Sequence, residues 1–123
     1  MPKIPVVSVI DDDESVRISI GALVRSLGRV AYAFASAEDF LRSAEAEATD
    51  CLITDIQMPG MSGLELQATL AEENQRIPII FITAFPEDRI RKKVLSAGAI
   101  GLLAKPYDGD LLVNFIESAL SGS

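Results

Sequence analysis

The sequence predicts an α/β fold, one doubly wound parallel sheet with helices packed on both sides, and three observations carry that expectation. Short β-branched, apolar runs alternate strictly with stretches of helical periodicity, the alternation recurs five times, and the connections between segments are short. Crossovers of the usual right hand then make the strands parallel. A chain of 123 residues is one domain's worth and falls far short of an eight-unit barrel. We therefore expect a single domain over residues 1–123, closed by a polar tail at Ser121-Gly122-Ser123.

The first run, Val6–Ile10, is nearly all apolar, as in a strand covered on both faces, and stops at Asp11. From Glu14 the positions Val16, Ile20, Leu23, Val24 and Leu27 follow helical spacing, and Gly28 suits a left-handed helix end. Val30–Phe34 reads as the second strand. Ser36 is placed to cap a helix whose Phe40, Leu41 and Ala44 turn inward. Residues 51–54 make the third strand, and a Met58-Pro59-Gly60 turn leads to a helix over residues 63–73 with Leu66 and Leu70 four apart. A fourth strand spans residues 79–82, and Pro86 fits the first turn of a helix that carries Ile90 and Val94 and closes at Gly98. A fifth strand over residues 100–103 precedes a last helix with Leu111, Leu112, Phe115, Ile116 and Leu120 facing inward.

Composition narrows the chemistry. Hydrophobic residues at 49% and charged residues at 24%, without a bilayer-length apolar run, disfavour both disorder and a membrane span. The formal charge of −7 has the wrong sign for phosphate-backbone attraction, so no direct grip on nucleic acid is expected. Histidine is absent, which removes Ser-His-Asp and Cys-His nucleophiles and imidazole metal sites. The lone Cys51 lies in an apolar run and reads as a core thiol of a reduced protein, and the first residues lack the pattern of a secretory signal, so a cytoplasmic location is expected.

In open α/β sheets ligands bind beyond the carboxyl ends of the strands. The first strand delivers Asp11-Asp12-Asp13 there, the third Asp55, the fourth Thr83-Ala84 and the fifth Lys105-Pro106. Each residue has a plainer reading. Asp13 suits a helix cap, Asp55 a turn, Thr83 the end of a strand and Lys105 the surface. Packing alone does not predict the set. Two carboxylates about 5 Å apart repel by about 3 kcal/mol at an effective dielectric near 20, and one lysine is too little compensation for the group. An all-oxygen pocket of this kind suits a hard cation such as Mg²⁺ together with a phosphate.

Val9-Ile10-Asp11-Asp12-Asp13, the stretch from Asp55 to Gly63, Ile82-Thr83-Ala84 and Ala104-Lys105-Pro106, in this order and spacing, resemble the receiver domain of two-component response regulators over nearly the whole chain. The resemblance implies a flavodoxin-like (βα)5 fold with strand order 2-1-3-4-5. It implies that Asp55 is the phosphoacceptor for the phosphohistidine of a sensor histidine kinase or phosphotransfer protein, with Thr83 and Lys105 assisting. It further implies Mg²⁺, or Mn²⁺ in its place, held by Asp11, Asp12, Asp55 and the Gln57 backbone carbonyl, and a cis bond between Lys105 and Pro106. Such a domain is a phosphoprotein of signal transduction rather than a turnover enzyme, and some pair into homodimers on phosphorylation.

Signalling in the family runs through the fourth helix, fifth strand and fifth helix. Here Leu102 stands where many receivers carry a switching Tyr or Phe, so aromatic rotation is excluded; coupling through Leu102 packing or through Phe85 remains open. Arg89, Arg91, Lys92 and Lys93 on the fourth helix read as a solvated face. The runner-up is a receiver-like interaction scaffold that is never phosphorylated. A dehalogenase-like aspartyl phosphatase would want a second aspartate where Gln57 stands, and an FMN carrier would find its phosphate repelled by three aspartates.

Overall fold

The three central strands are buried along their whole length, and this double-sided burial is what assembles the alternating segments into layers. The computed structural model describes residues 3–121. Strands β1 (Val6–Ile10), β2 (Val30–Phe34), β3 (Cys51–Asp55), β4 (Ile79–Thr83) and β5 (Gly101–Ala104) form one parallel sheet in the order β2-β1-β3-β4-β5. Helices α1 (Glu14–Ser26), α2 (Ala37–Arg42), α3 (Gly63–Glu72), α4 (Asp88–Ser96) and α5 (Gly109–Ser121) supply the crossovers. This is the expected flavodoxin-like order.

Alternate residues of each strand feed two separate cores. Val7, Val9, Ile53, Ile80, Ile82 and Leu103 pack with Ile20 and Val24 of α1 and with Leu112 and Ile116 of α5. Ile10, Leu52, Phe81 and Leu102 point the other way, onto Phe40 of α2, Leu66 and Leu70 of α3 and Val94 of α4. Period-two alternation is therefore hidden in the sequence, because both sides of each strand are apolar. Cys51 is fully buried, and desolvation pushes its thiol up to about 12, so it behaves as a core hydrophobe.

Several boundaries differ from the sequence reading. Helix α2 stops at Arg42, because Ser43 adopts an extended conformation while its amide and its Oγ both bond the Phe40 carbonyl; Ala44 is consequently exposed. Pro86 lies outside α4, before the N-cap Glu87, and β5 begins at Gly101 rather than Ile100. Leu111 is exposed, the buried stripe of α5 being Leu112, Ile116 and Ala119, and Ser121 still belongs to α5; Gly122 and Ser123 lie outside the described residues, as do Met1 and Pro2. Gly28 and Gly98 take the positive φ expected at helix ends. Among the described residues, no helix is long and apolar enough to cross a membrane.

Candidate functional site

The strand order reverses at β1: the chain goes out to β2 on one side and returns to β3 on the other, opening a crevice at their carboxyl ends. Register pairs Ile10 with Thr54, so the next residues, Asp11 and Asp55, stand side by side at the crevice. Ladder bonds continue just past the strands and hold the first loop residues in place. The Asp11 amide donates to the Phe34 carbonyl at 3.1 Å, and the Lys105 amide donates to the Thr83 carbonyl at 2.9 Å. Sequence positions far apart are thus fixed by backbone pairing before any side chain contributes.

Oxygen atoms of Asp11, Asp12 and Asp55 all lie within 4.8 Å of one another. The Lys105 ammonium sits between two of them, 3.0 Å from Asp11 Oδ2 and 2.8 Å from Asp55 Oδ2. Asp11 and Asp55 are 1% and 5% exposed, whereas Asp12 is open to solvent. Burial raises the Asp11 pKa above the ordinary carboxylate range despite the Asp13 amide and Lys105, and the neighbouring Asp55 charge adds to the rise. Lys105 is held above its ordinary value: desolvation opposes its charge, but hydrogen bonds to Asp55 and Asp11 outweigh that. The Lys105-Pro106 bond is cis.

Of the remaining strand-end residues, Asp13 is a helix cap, its carboxylate accepting from the Ser15 amide at 2.9 Å and the Ser15 hydroxyl at 2.7 Å. Thr83 is 1% exposed, and its Oγ1 accepts from the Phe85 amide at 3.1 Å, an arrangement that leaves the hydroxyl proton free to donate. Gln57 is exposed at the start of the β3–α3 loop, its amide donating to Asp55 Oδ1 at 3.1 Å. A cleft of about 450 Å³ lies beside the site, lined by Gln57, Met58, Thr83, Phe85 and Arg89 among others.

Close approach of α3 requires glycine at position 63. A Cβ there would lie 2.4 Å from the Asp55 carbonyl oxygen, so any other residue pushes the helix off the strand that carries Asp55. Ser62 caps α3 reciprocally with Glu65. Three further contributors escape sequence reading. Arg17 donates to the Asp11 carbonyl at 2.7 Å, Glu38 accepts from the Met61 amide at 2.9 Å, and Arg91 donates to the Leu102 carbonyl at 2.9 Å. They span 6, 23 and 11 residues respectively, spacings that no helical or strand periodicity announces. The four basic residues of α4 are exposed, as expected, though Arg91 also ties its helix to β5.

The donors are carboxylates, a hydroxyl and an ammonium, with no imidazole or thiolate, and the formal charge of three carboxylates exceeds that of the one lysine by two. Such a set fits a hard divalent ion and suits exchange of a strongly anionic group. A doubly wound sheet in this strand order, with an acidic crevice at its reversal, defines the class of flavodoxin-like receiver folds. The chain belongs to the response regulator receiver domain family, whose sequence profile matches residues 7–117.

Particular relatives agree. The chain is 41% identical over 115 residues to the response regulator protein TmoT of Ectopseudomonas mendocina, covering 94% of this chain and 52% of that one. Among solved structures it resembles the response regulator StyR, with a TM-score of 0.88 and 42% identity over 96% of this chain and 60% of that one. It also resembles FixJ-N, with a TM-score of 0.84 and 32% identity over 100% and 98% of the two chains. The chain spans about half the length of the curated relatives it matches.

Proposed function

We propose that this receiver domain takes a phosphoryl group onto Asp55 from the phosphohistidine of a partner histidine kinase or phosphotransfer protein. The observation that carries the reading is Lys105 bridging Asp11 and Asp55 inside a cluster that still has two negative charges in excess. In the transfer an Asp55 oxygen forms the new P–O bond as the P–N bond to the donor imidazole breaks, and the imidazole leaves with that electron pair. Asp11, Asp12, Asp55 and the Gln57 carbonyl would hold Mg²⁺ or Mn²⁺, which when bound supplies positive charge to the phosphoryl oxygens. Lys105 neutralises and orients one of those oxygens, and the free Thr83 hydroxyl proton is placed to donate to another. The small, exposed Ala84 leaves the donor an open approach.

The chain is an acceptor that assists its own modification, not a turnover enzyme, and it works in the cytoplasm without contacting nucleic acid through this domain. Phosphorylation adds about −1.5 to −2 charge, enough to draw Thr83 inward and bias the face made by α4, β5 and α5. With Leu102 buried in the same core as Val94 and its carbonyl held by the Arg91 guanidinium, the path runs through this side-chain tie between α4 and β5 rather than through a rotating ring. Phosphotransfer from a panel of autophosphorylated histidine kinases tests the reading. Label should pass to the native chain and not to Asp55→Ala; equal labelling of both would refute the assignment, and a native chain that no kinase labels would favour the unphosphorylated scaffold.

A further inference from the structure

Residues 57–61 follow the strand end that carries Asp55, and among the described residues two hydrogen bonds tie them to other elements: the Gln57 amide donates to Asp55 Oδ1 of the preceding strand at 3.1 Å, and the Met61 amide donates to Glu38 Oε2 of α2, remote in sequence, at 2.9 Å. The base of this loop is closed separately, by the Gly63 amide on the Ile56 carbonyl at 2.8 Å. Between base and clamp lies Gln57. Gly60, at φ +78°, lets the chain turn directly beneath the carboxylate, where an added Cβ would come within 2.5 Å of Glu38 Oε2. Glu38 forms no ion pair among the described residues, and its Oε1 is buried without a hydrogen-bond partner. A glutamate serving only the N-terminus of α2 would keep both oxygens in water. This one gives up solvation to reach the loop.

We infer that Glu38 is a positioning residue for the acidic site, holding the β3–α3 loop so that the Gln57 carbonyl and the Asp55 carboxylate are presented together to a divalent ion. The inference rests on the metal-binding reading above. Groups that orient a metal's ligands typically contribute tenfold or more to affinity, so a clamp of this kind acts on metal affinity more than on global stability. Glutamine retains an acceptor for the Met61 amide and separates the hydrogen bond from the charge.

Magnesium titration calorimetry on the full chain, with hydrogen exchange of the Met61 amide followed by NMR in metal-free protein, tests this. Glu38→Ala should weaken Mg²⁺ binding about tenfold and deprotect the Met61 amide, while Glu38→Gln restores most of both. Ile116→Val, in the core on the opposite side of the sheet, should lower the melting temperature and leave Mg²⁺ affinity unchanged. Native affinity in Glu38→Ala, an equal loss in Ile116→Val, or no restored protection in Glu38→Gln would overturn the inference. Absence of Mg²⁺ binding by the native chain would instead overturn the metal-site reading, with the Met61 exchange still reporting on the clamp.

Discussion

The carboxyl and amino edges of the same sheet both bury polar side chains, yet they satisfy them differently. At the amino edge Ser8 Oγ and Thr49 Oγ1 lie 2.7 Å apart, Thr49 donates onward to the Glu45 carbonyl at 2.9 Å, and Asp50 Oδ2 accepts from the Val6 amide at 2.8 Å. Every member has a partner inside the chain. At the carboxyl edge three carboxylates cluster around one ammonium that pairs with only two of them, and charge is left over. Cleft size does not separate the edges: a cleft of about 540 Å³ opens at the amino edge, lined by Leu70, Pro78, Ile79 and Ile100, with Arg76 its one charged residue. What marks function here is uncompensated charge, not burial or concavity.

Substitutions can break or sharpen that contrast. The largest effect is expected from Lys105→Met, which leaves two buried carboxylates unpaired and should cost about 3 kcal/mol in metal-free protein, with part regained on adding Mg²⁺, as read by chemical denaturation. Because the Lys105 pKa is raised, the stability it contributes is fully present below its ordinary value and lost only as pH climbs through the raised one. Denaturation between neutral pH and pH about 10 should therefore show the lysine's contribution undiminished.

At the opposite edge Thr49→Val leaves the Ser8 hydroxyl without its partner and should cost about 2 kcal/mol, with Mg²⁺ affinity by calorimetry unchanged. Asp11→Asn should do the reverse: metal-free protein gains on the order of 1 kcal/mol because a buried charge is removed and, to a lesser degree, repulsion from Asp55 is relieved, and the Mg²⁺-dependent rise in melting temperature disappears. Because burial raises the Asp11 pKa, the folded chain holds this proton more tightly than the unfolded one, so this group's contribution to stability should decline as pH rises above its ordinary value of about 4, a component that should be missing in Asp11→Asn. The smallest effect is expected from Ser62→Ala, which removes one half of the α3 capping box and should cost about 0.5–1 kcal/mol of thermal stability.

Much of this architecture is legible in the sequence because its signals are local. The apolar run that stops at Asp11 marks the full extent of β1, the strand-like run Val30–Phe34 matches β2, and Ser36 and Asp13 announce the helices they cap. The strand-end set of Asp11, Asp12, Asp55, Thr83 and Lys105 follows once the strands are placed, since a parallel sheet aligns their carboxyl ends. What the sequence conceals is tertiary. Ser43 ends α2 early by bonding back to Phe40, and Pro86 stops short of α4; neither is decided by periodicity. Arg17, Glu38 and Arg91 act across gaps between elements, where no spacing rule reaches.

The central claim is that the surplus negative charge at the carboxyl edge marks a site that gathers a divalent ion and readies Asp55 to take a phosphoryl group as an acyl phosphate. Incubation with acetyl phosphate, with and without Mg²⁺, followed by intact-mass measurement and peptide mapping, tests it most directly. One phosphoryl group per chain, dependent on Mg²⁺ and located on Asp55, is the expected result. A native chain left unmodified in the presence of Mg²⁺, or an adduct that persists in Asp55→Ala, would contradict the account.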